Sequence, residues 1–275
     1  MARLWSSGFE LNSTTADVEF SSLINPSIVT TVVRSGTYAN RKIPGNNTGG
    51  VMHYFAASNQ TAPFYFRMYY RCAVRPTVQV DIMRIWNVTN GSKIDIRANT
   101  NGTLQLYNVE DSANIGSASG VLSTNTWYRI ELKVDTTTIA TTAVEALLDG
   151  VSFASGTVDL ATGIARVGFG QIGTVNSNHD FYTDDLAVNN SSGSFQNSWP
   201  GIGEIIHLRP NANGDINAFD RQAGAGDHYT EVDEVTPDDI TSYVATDVED
   251  DMEEYNLDAT PVALASDDVI NCVQV

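Results

Sequence analysis

Between Trp127 and Asn189 polar and apolar residues alternate regularly enough to predict an architecture. In Trp127–Asp135, Tyr128, Ile130, Leu132 and Val134 fall on one side, with Trp127, Arg129, Glu131 and Lys133 on the other. Period-two alternation marks a strand with one face on a core and one in water. Residues 144–148 and 151–156 flank Asp149-Gly150. An Asp-Gly pair between two apolar-rich runs predicts a hairpin, because a type I′ turn needs positive φ at both central residues. Residues 164–170 and 180–189 read as the last strands of the block. Upstream, residues 27–34 are rich in β-branched side chains and predict a strand. Residues 44–50 are a loop by composition. Further strands are predicted over 51–57, 64–74, 77–86, 93–98 and 104–109. In 64–74, Phe64, Phe66, Met68 and Tyr70 alternate with Tyr65, Arg67, Tyr69 and Arg71. Closely spaced strands separated by turn residues, with almost no helical periodicity, predict an all-β sandwich of two antiparallel sheets.

The composition changes near 191–194, which places a boundary between residues 1–192, the sandwich, and 193–275, a smaller acidic β-rich region. Beyond Arg221 no Lys or Arg follows, while acids continue from Asp227 to Asp268. Such a run suits a solvated loop or tail, but interspersed Ile205, Ile206, Tyr243, Val244, Val262 and Leu264 predict some folded structure. Residues 269–275 are β-prone, and a bare apolar strand needs a partner. It is expected either to complete a sheet, this chain's or a neighbour's, or to mark a shortened chain.

The formal net charge of −18 argues against nucleic acid as a partner, since a polyanion repels phosphates. No run approaches the roughly 18 to 20 apolar residues of a membrane span, and the first residues lack the apolar centre of a signal peptide. Membrane insertion is therefore not expected, and synthesis in a cytoplasm is. Cys72 and Cys272 are far apart and match no metal-binding spacing. His53, His179, His207 and His228 are isolated, and no Gly-x-Ser-x-Gly elbow occurs.

The string Trp-Tyr-Arg-Ile-Glu-Leu-Lys-Val-Asp at 127–135, the strand ending in Leu-Asp-Gly-Val at 148–151, and Phe-Tyr-Thr-Asp-Asp-Leu-Ala-Val-Asn at 181–189 resemble the second half of a concanavalin A-like (laminin-G-like) jelly roll. Residues 196–201, 206–211 and 229–234 are similar to virion proteins of tailed phages that carry this domain. The resemblance implies a non-enzymatic virion structural protein, in the tail, a fibre or the head decoration. It would sit on the virion beside other virion proteins and assemble as a homo-oligomer, with unpaired strands as docking edges. It also implies a structural Ca²⁺, bound by acids of the last strand, Asp184 and Asp185, and by Glu10 of the neighbouring N-terminal segment, since a hard cation prefers oxygen ligands. The alternative for these acids is that they accept backbone or arginine hydrogen bonds. By alternation Asp184 shares a face with Tyr182, Leu186 and Val188.

Two rival functions stay open. A lectin-like module recognising host surface glycans would stack a sugar on an aromatic beside amide side chains, and Trp86-Asn87, Tyr107-Asn108 and Trp127 with Asn125 offer such platforms. A polysaccharide hydrolase would need two carboxylates flanking the scissile bond. The Glu-x-Asp-x-x-Glu spacing of laminarinase-like sandwiches occurs at Glu249, Asp251 and Glu254, but the acidic run 249–254 lacks the apolar alternation of a cleft strand. Catalysis is therefore not expected.

Overall fold

A computed structural model describes residues 2–16, 19–55, 62–236, 241–259 and 270. Fifteen strands form the sandwich: β1 (Arg3–Ser7), β2 (Ser22–Ile24), β3 (Ser27–Val29), β4 (Ala39–Lys42), β5 (Gly49–Tyr54), β6 (Pro63–Val74), β7 (Val80–Asn87) and β8 (Ser92–Ala98) come first. They are followed by β9 (Leu104–Asn108), β10 (Ala113–Ile115), β11 (Trp127–Asp135), β12 (Thr142–Leu148), β13 (Val151–Val158), β14 (Ile164–Gln171) and β15 (Asp180–Asn190). One sheet has eight strands in the order β13-β12-β11-β6-β15-β4-β3, with β1 also paired to β15; the other has seven, β10-β9-β8-β7-β14-β5-β2. Every pairing within both is antiparallel. The two-sheet sandwich expected from the alternation is the observed fold.

Alternate side chains of the two inner faces make the core. Phe64, Phe66 and Met68 of β6, Ile130, Leu132 and Val134 of β11, Ile82 and Ile85 of β7 and Phe169 of β14 are almost wholly buried. Burying side chains of this size contributes about 1.5–3 kcal/mol each. The Asp149-Gly150 corner adopts positive φ at both residues, 51° and 85°, and joins β12 to β13.

The β-branched run 27–34 does not continue as one strand: β3 ends at Val29. The backbone N–H groups of Arg34, Ser35, Thr37 and Tyr38 instead turn toward carboxylates. β15 also departs from the alternation. Its register against β6 shifts between Asp184 and Ala187, and Asp185 has φ 49°. Such a bulge reverses which alternate side chains face inward. Phe181 faces the core before it, and Leu186 and Val188 after it. Asp184 therefore does not share one continuous face with Tyr182, Leu186 and Val188.

Residues beyond β15 cross the outer face of the eight-stranded sheet. Trp199 meets Tyr65 edge to face at 5.3 Å. Gly201 N–H donates to Glu131 Oε1 at 2.7 Å, and its carbonyl accepts from Arg67 at 3.2 Å. Ile205 N–H reaches Asp185 at 2.6 Å. Farther on, β16 (Pro210–Asn217) pairs with β19 (Glu253–Leu257), and β17 (Asp220–Arg221) with β18 (Val244–Ala245). Apart from Ile270, the predicted strand 269–275 and Cys272 lie outside the described residues; Cys72 is a buried free thiol.

Candidate functional site

The outer face of the seven-stranded sheet gathers basic and aromatic side chains from strands distant in sequence. Ile94, Ile96, Leu104, Leu106, Ile85 and Val167 of β8, β9, β7 and β14 point to the core, so Lys93, Asp95, Arg97, Tyr107, Arg84 and Arg166 point outward. Cross-strand pairing aligns Tyr107 with Asp95, Asp95 with Arg84, and Arg84 with Gly168. A second row aligns Trp86 with Arg166 and Arg166 with Tyr54.

Most charge on this face is internally matched. The buried Asp95 accepts two bonds from Arg84, at 2.6 and 2.8 Å, and two from Arg97, at 3.0 and 2.9 Å. Asp81 lies 3.4 Å from Arg84 and accepts the N–H groups of Ile172 and Gly173; burial raises its pKa. Lys93 pairs with Glu110. Arg166 is the exception. Its guanidinium sits 4.7 Å from the centre of Trp86 and 5.4 Å from that of Tyr54. Among the described residues its side chain makes one long hydrogen bond, to the Tyr54 hydroxyl at 3.4 Å, and Nε is buried without a partner. Beneath it Gly168 keeps the floor low, since a Cβ there would meet Ile172 at 2.8 Å and Trp86 at 3.0 Å. Met52, Trp86 and Ile172 form a small apolar cluster on this side.

Two of the three aromatics singled out from sequence thus share a face, but neither offers an open ring. Trp86 is only 6% exposed, with Arg84 and Arg166 beside its ring. The Tyr107 ring is overlaid by Arg97 at 3.3 Å. Trp127 lies on the other sheet, opposite Arg71. Sequence inspection missed Arg84, Arg97, Arg166 and Tyr54; the available signal was that these are cations and an aromatic at outward positions of alternating strands.

The three acids expected to hold calcium do come together, at the point where β15 exchanges β4 for β1 as its neighbour. Their oxygens are occupied. Asp184 accepts the N–H of Arg34 at 2.9 Å and of Asp185 at 2.8 Å. Asp185 accepts Arg34 Nη1 at 2.5 Å, the Ser35 hydroxyl at 2.8 Å and Ile205 N–H. Glu10 accepts the N–H groups of Thr37 and Tyr38. Gly36, at φ 61°, lies against Glu10 so closely that a Cβ would fall on the carboxylate. Among the described residues no group of three or more His, Cys, Asp or Glu is placed to hold a metal ion. The arrangement does not fit a calcium cage, because Arg34 supplies the counter-charge. Melting with and without chelator should give the same midpoint; a chelator-sensitive midpoint would show that a cation displaces Arg34.

Burial pushes the Glu10 carboxyl up to about 7, against the lowering effect of the Tyr38 and Thr37 N–H groups, with Glu19 and Asp185 adding to the rise. Asp184 rises likewise through burial and the neighbouring Asp185 charge. A recess of about 350 Å³ opens beside Glu10, lined also by Tyr38, His207, Arg209 and Asp258. His179 is wholly buried, accepts or donates at the Tyr70 hydroxyl at 2.8 Å and is held near pKa 3 by burial and the Lys42 charge.

No family model matches the chain, and no curated protein matches it by sequence. Solved structures do share the sandwich. One described as cellulose induced protein Cip1 superposes with a TM-score of 0.52 at 16% identity, over 72% of this chain and 99% of that one. An endo-β-1,4-glucuronan lyase from Trichoderma reesei gives 0.48 at 14% identity, covering 68% and 95%. A marine PL-14 alginate lyase from Aplysia kurodai gives 0.48 at 12%, covering 69% and 100%. These similarities correct two expectations. The step from this sandwich to a non-enzymatic virion protein fails, because a solved structure that shares it at a TM-score above 0.5 is described as a cellulose induced protein, not a virion protein. The exclusion of catalysis is withdrawn with it, because an argument confined to one hydrolase string says nothing of other reactions on this fold. Virion partners and a virion location rested on the same step and are not carried further. At identities this low, what the comparisons establish for the chain is the β-sandwich.

Proposed function

We propose that this protein is a carbohydrate-interacting module whose outer seven-stranded face holds an acidic polysaccharide. The observation that carries this reading is Arg166, a cation without an acid partner among the described residues, in a chain of net charge −18. Four cations on that face, Arg84, Lys93, Arg97 and Arg166, meet three acids, Asp81, Asp95 and Glu110, and Arg166 is the one left over. Stacking on Trp86 and Tyr54 fixes its fork before any ligand arrives. A preset guanidinium loses less freedom on binding and can take a carboxylate or sulfate bidentately. Tyr54, 41% exposed, provides an aromatic edge for a sugar ring beside it. The overall negative charge is no obstacle at contact range, since repulsion is screened within about 8–10 Å at physiological salt.

Titration calorimetry with polygalacturonate, heparin and a neutral glucan tests the assignment. Arg166→Ala should weaken binding of the acidic polymers by about tenfold or more, the effect expected for one charge-assisted contact, and binding should fall with added salt. Equal binding of the neutral glucan, or unchanged affinity in the variant, would rule the site out. Size-exclusion chromatography of the same mixtures reads any cleavage directly.

A further inference from the structure

The opposite outer face carries a second unpaired guanidinium, at Arg71. Register places Trp127 of β11 opposite Arg71 of β6, Arg71 opposite Tyr182 of β15, and Tyr182 opposite Arg41 of β4. These four side chains therefore form one row across four adjacent strands, since directly paired residues lie on the same face. Tyr182 lies between the two arginines, with guanidinium carbons 5.4 Å (Arg41) and 5.5 Å (Arg71) from its ring centre. Arg41 is committed, with two bonds to Asp180 at 3.0 and 2.8 Å. The Arg71 side chain makes no hydrogen bond and no ion pair among the described residues, and its guanidinium rests beside the Tyr182 ring.

The rest of this face is used differently. Arg67 and Glu131, two rows along, are capped by Gly201, and Tyr69, in the row between, is overlaid by Arg34 at 3.5 Å. Among the described residues, 196–205 meet Arg3, Arg34, Asn189, the rows of Tyr65 and Arg67 and the Asp185 bulge, and no polar or ring contact joins them to Trp127 or Arg71. The row is thus left half-open beside the exposed Asn125 and Thr126.

We propose that Trp127 and Arg71 form a second sugar-binding site, for a pyranose bearing an anionic group. The half-buried indole takes the apolar face of the ring, as aromatic side chains do. Arg71, held by Tyr182, takes the carboxylate or sulfate through its fork. The site lies on the opposite outer face from Arg166, so one molecule could hold two glycan chains at once. The argument uses none of the residues of the Arg166 face and does not depend on that reading.

Calorimetry on the full chain with an oligogalacturonate, a heparin oligosaccharide and a cello-oligosaccharide of equal length decides it. The parent should bind an acidic oligomer at two sites per chain. Arg71→Ala and Trp127→Ala should each leave one, and Arg71→Ala combined with Arg166→Ala should leave none. In an Arg166→Ala background, either Arg71→Ala or Trp127→Ala should weaken the remaining binding tenfold or more. Which acidic oligomer binds more tightly tells carboxylate from sulfate. The site is refuted if Arg166→Ala alone abolishes all binding, if Arg71→Ala and Trp127→Ala change nothing, or if the neutral oligomer binds there equally. Binding that survives Arg166→Ala and is lost with Arg71→Ala would sustain this site even if the Arg166 face proved inert.

Discussion

Arg67→Met is expected to destabilise the protein by roughly 3–5 kcal/mol, the cost of removing one partner from a buried charge network. Arg67 lies on the outward side of β6 yet is only 2% exposed. Its Nε donates to the Asp185 carbonyl at 3.0 Å and its Nη1 to the Gly201 carbonyl at 3.2 Å. Glu131, 1% exposed, sits opposite it in register and accepts Gly201 N–H and Arg129 Nε, at 2.7 and 2.9 Å. Methionine fills much of the arginine stem's volume but supplies no charge. Asp185 and Glu131 would then face Arg34 and Arg129 alone, in a region already short of cations. Two carbonyls would also lose their donor while still covered, and an unsatisfied buried polar group costs about 1–3 kcal/mol. Urea denaturation would show the loss as a lower midpoint, and amide exchange should rise first around Gly201 to Ile205. A loss under about 1 kcal/mol would mean that the segment over this sheet is held by something else. Arg71→Ala, on the same strand but half-open, should stay within about 0.5 kcal/mol of the parent.

The second large effect is a loss of stability as pH rises from about 5 to 8. In the unfolded chain Glu10 gives up its proton near its ordinary value of 4.5, whereas the folded chain holds it to about 7. Between those values the native state binds more protons than the unfolded state, so stability falls with increasing pH. The contribution is fully present below about 4.5 and lost once pH passes about 7. Asp184, raised in the same direction, steepens the slope. The ceiling for Glu10 alone is roughly 3 kcal/mol, on the scale of just over 1 kcal/mol per pH unit. Glu10→Gln, which keeps an acceptor for the Thr37 and Tyr38 N–H groups, should flatten the profile and raise stability at pH 8. Chemical denaturation of both proteins at pH 5, 6, 7 and 8 reads this directly. A parent that gains stability from pH 5 to 8 would show that Arg34 and the backbone donors outweigh burial at this site.

The strands from β11 to β15 were legible because a half-buried strand writes its two faces into alternate positions. Asp149-Gly150 was legible because few residues tolerate positive φ twice in succession. The meeting of Asp184 and Asp185 with Glu10 came from family resemblance, whereas the phase of β15 was misread. A single bulge reverses every side chain beyond it and leaves no mark that periodicity can detect. The strand expected over 27–34 was cut short at Val29, and from Arg34 onward the backbone N–H groups turn to the carboxylates of Asp184 and Glu10, partners that no local pattern announces.

What the chain alone determined was local, namely the strand periods, the corner and the acidic balance, since each depends on neighbours within a few residues. The partners of charges were decided by the folded topology. Tyr54, Trp86 and Arg166 belong to β5, β7 and β14 and meet because the sheet places β14 between the other two. Trp127, Arg71, Tyr182 and Arg41 meet because β6 and β15 lie between β11 and β4. Whether an arginine finds an acid or is left open to a ligand depends on such long-range neighbours. Thus Arg67 is sealed beneath Gly201 while Arg71, on the same strand and the same face, is left half-open and unpaired.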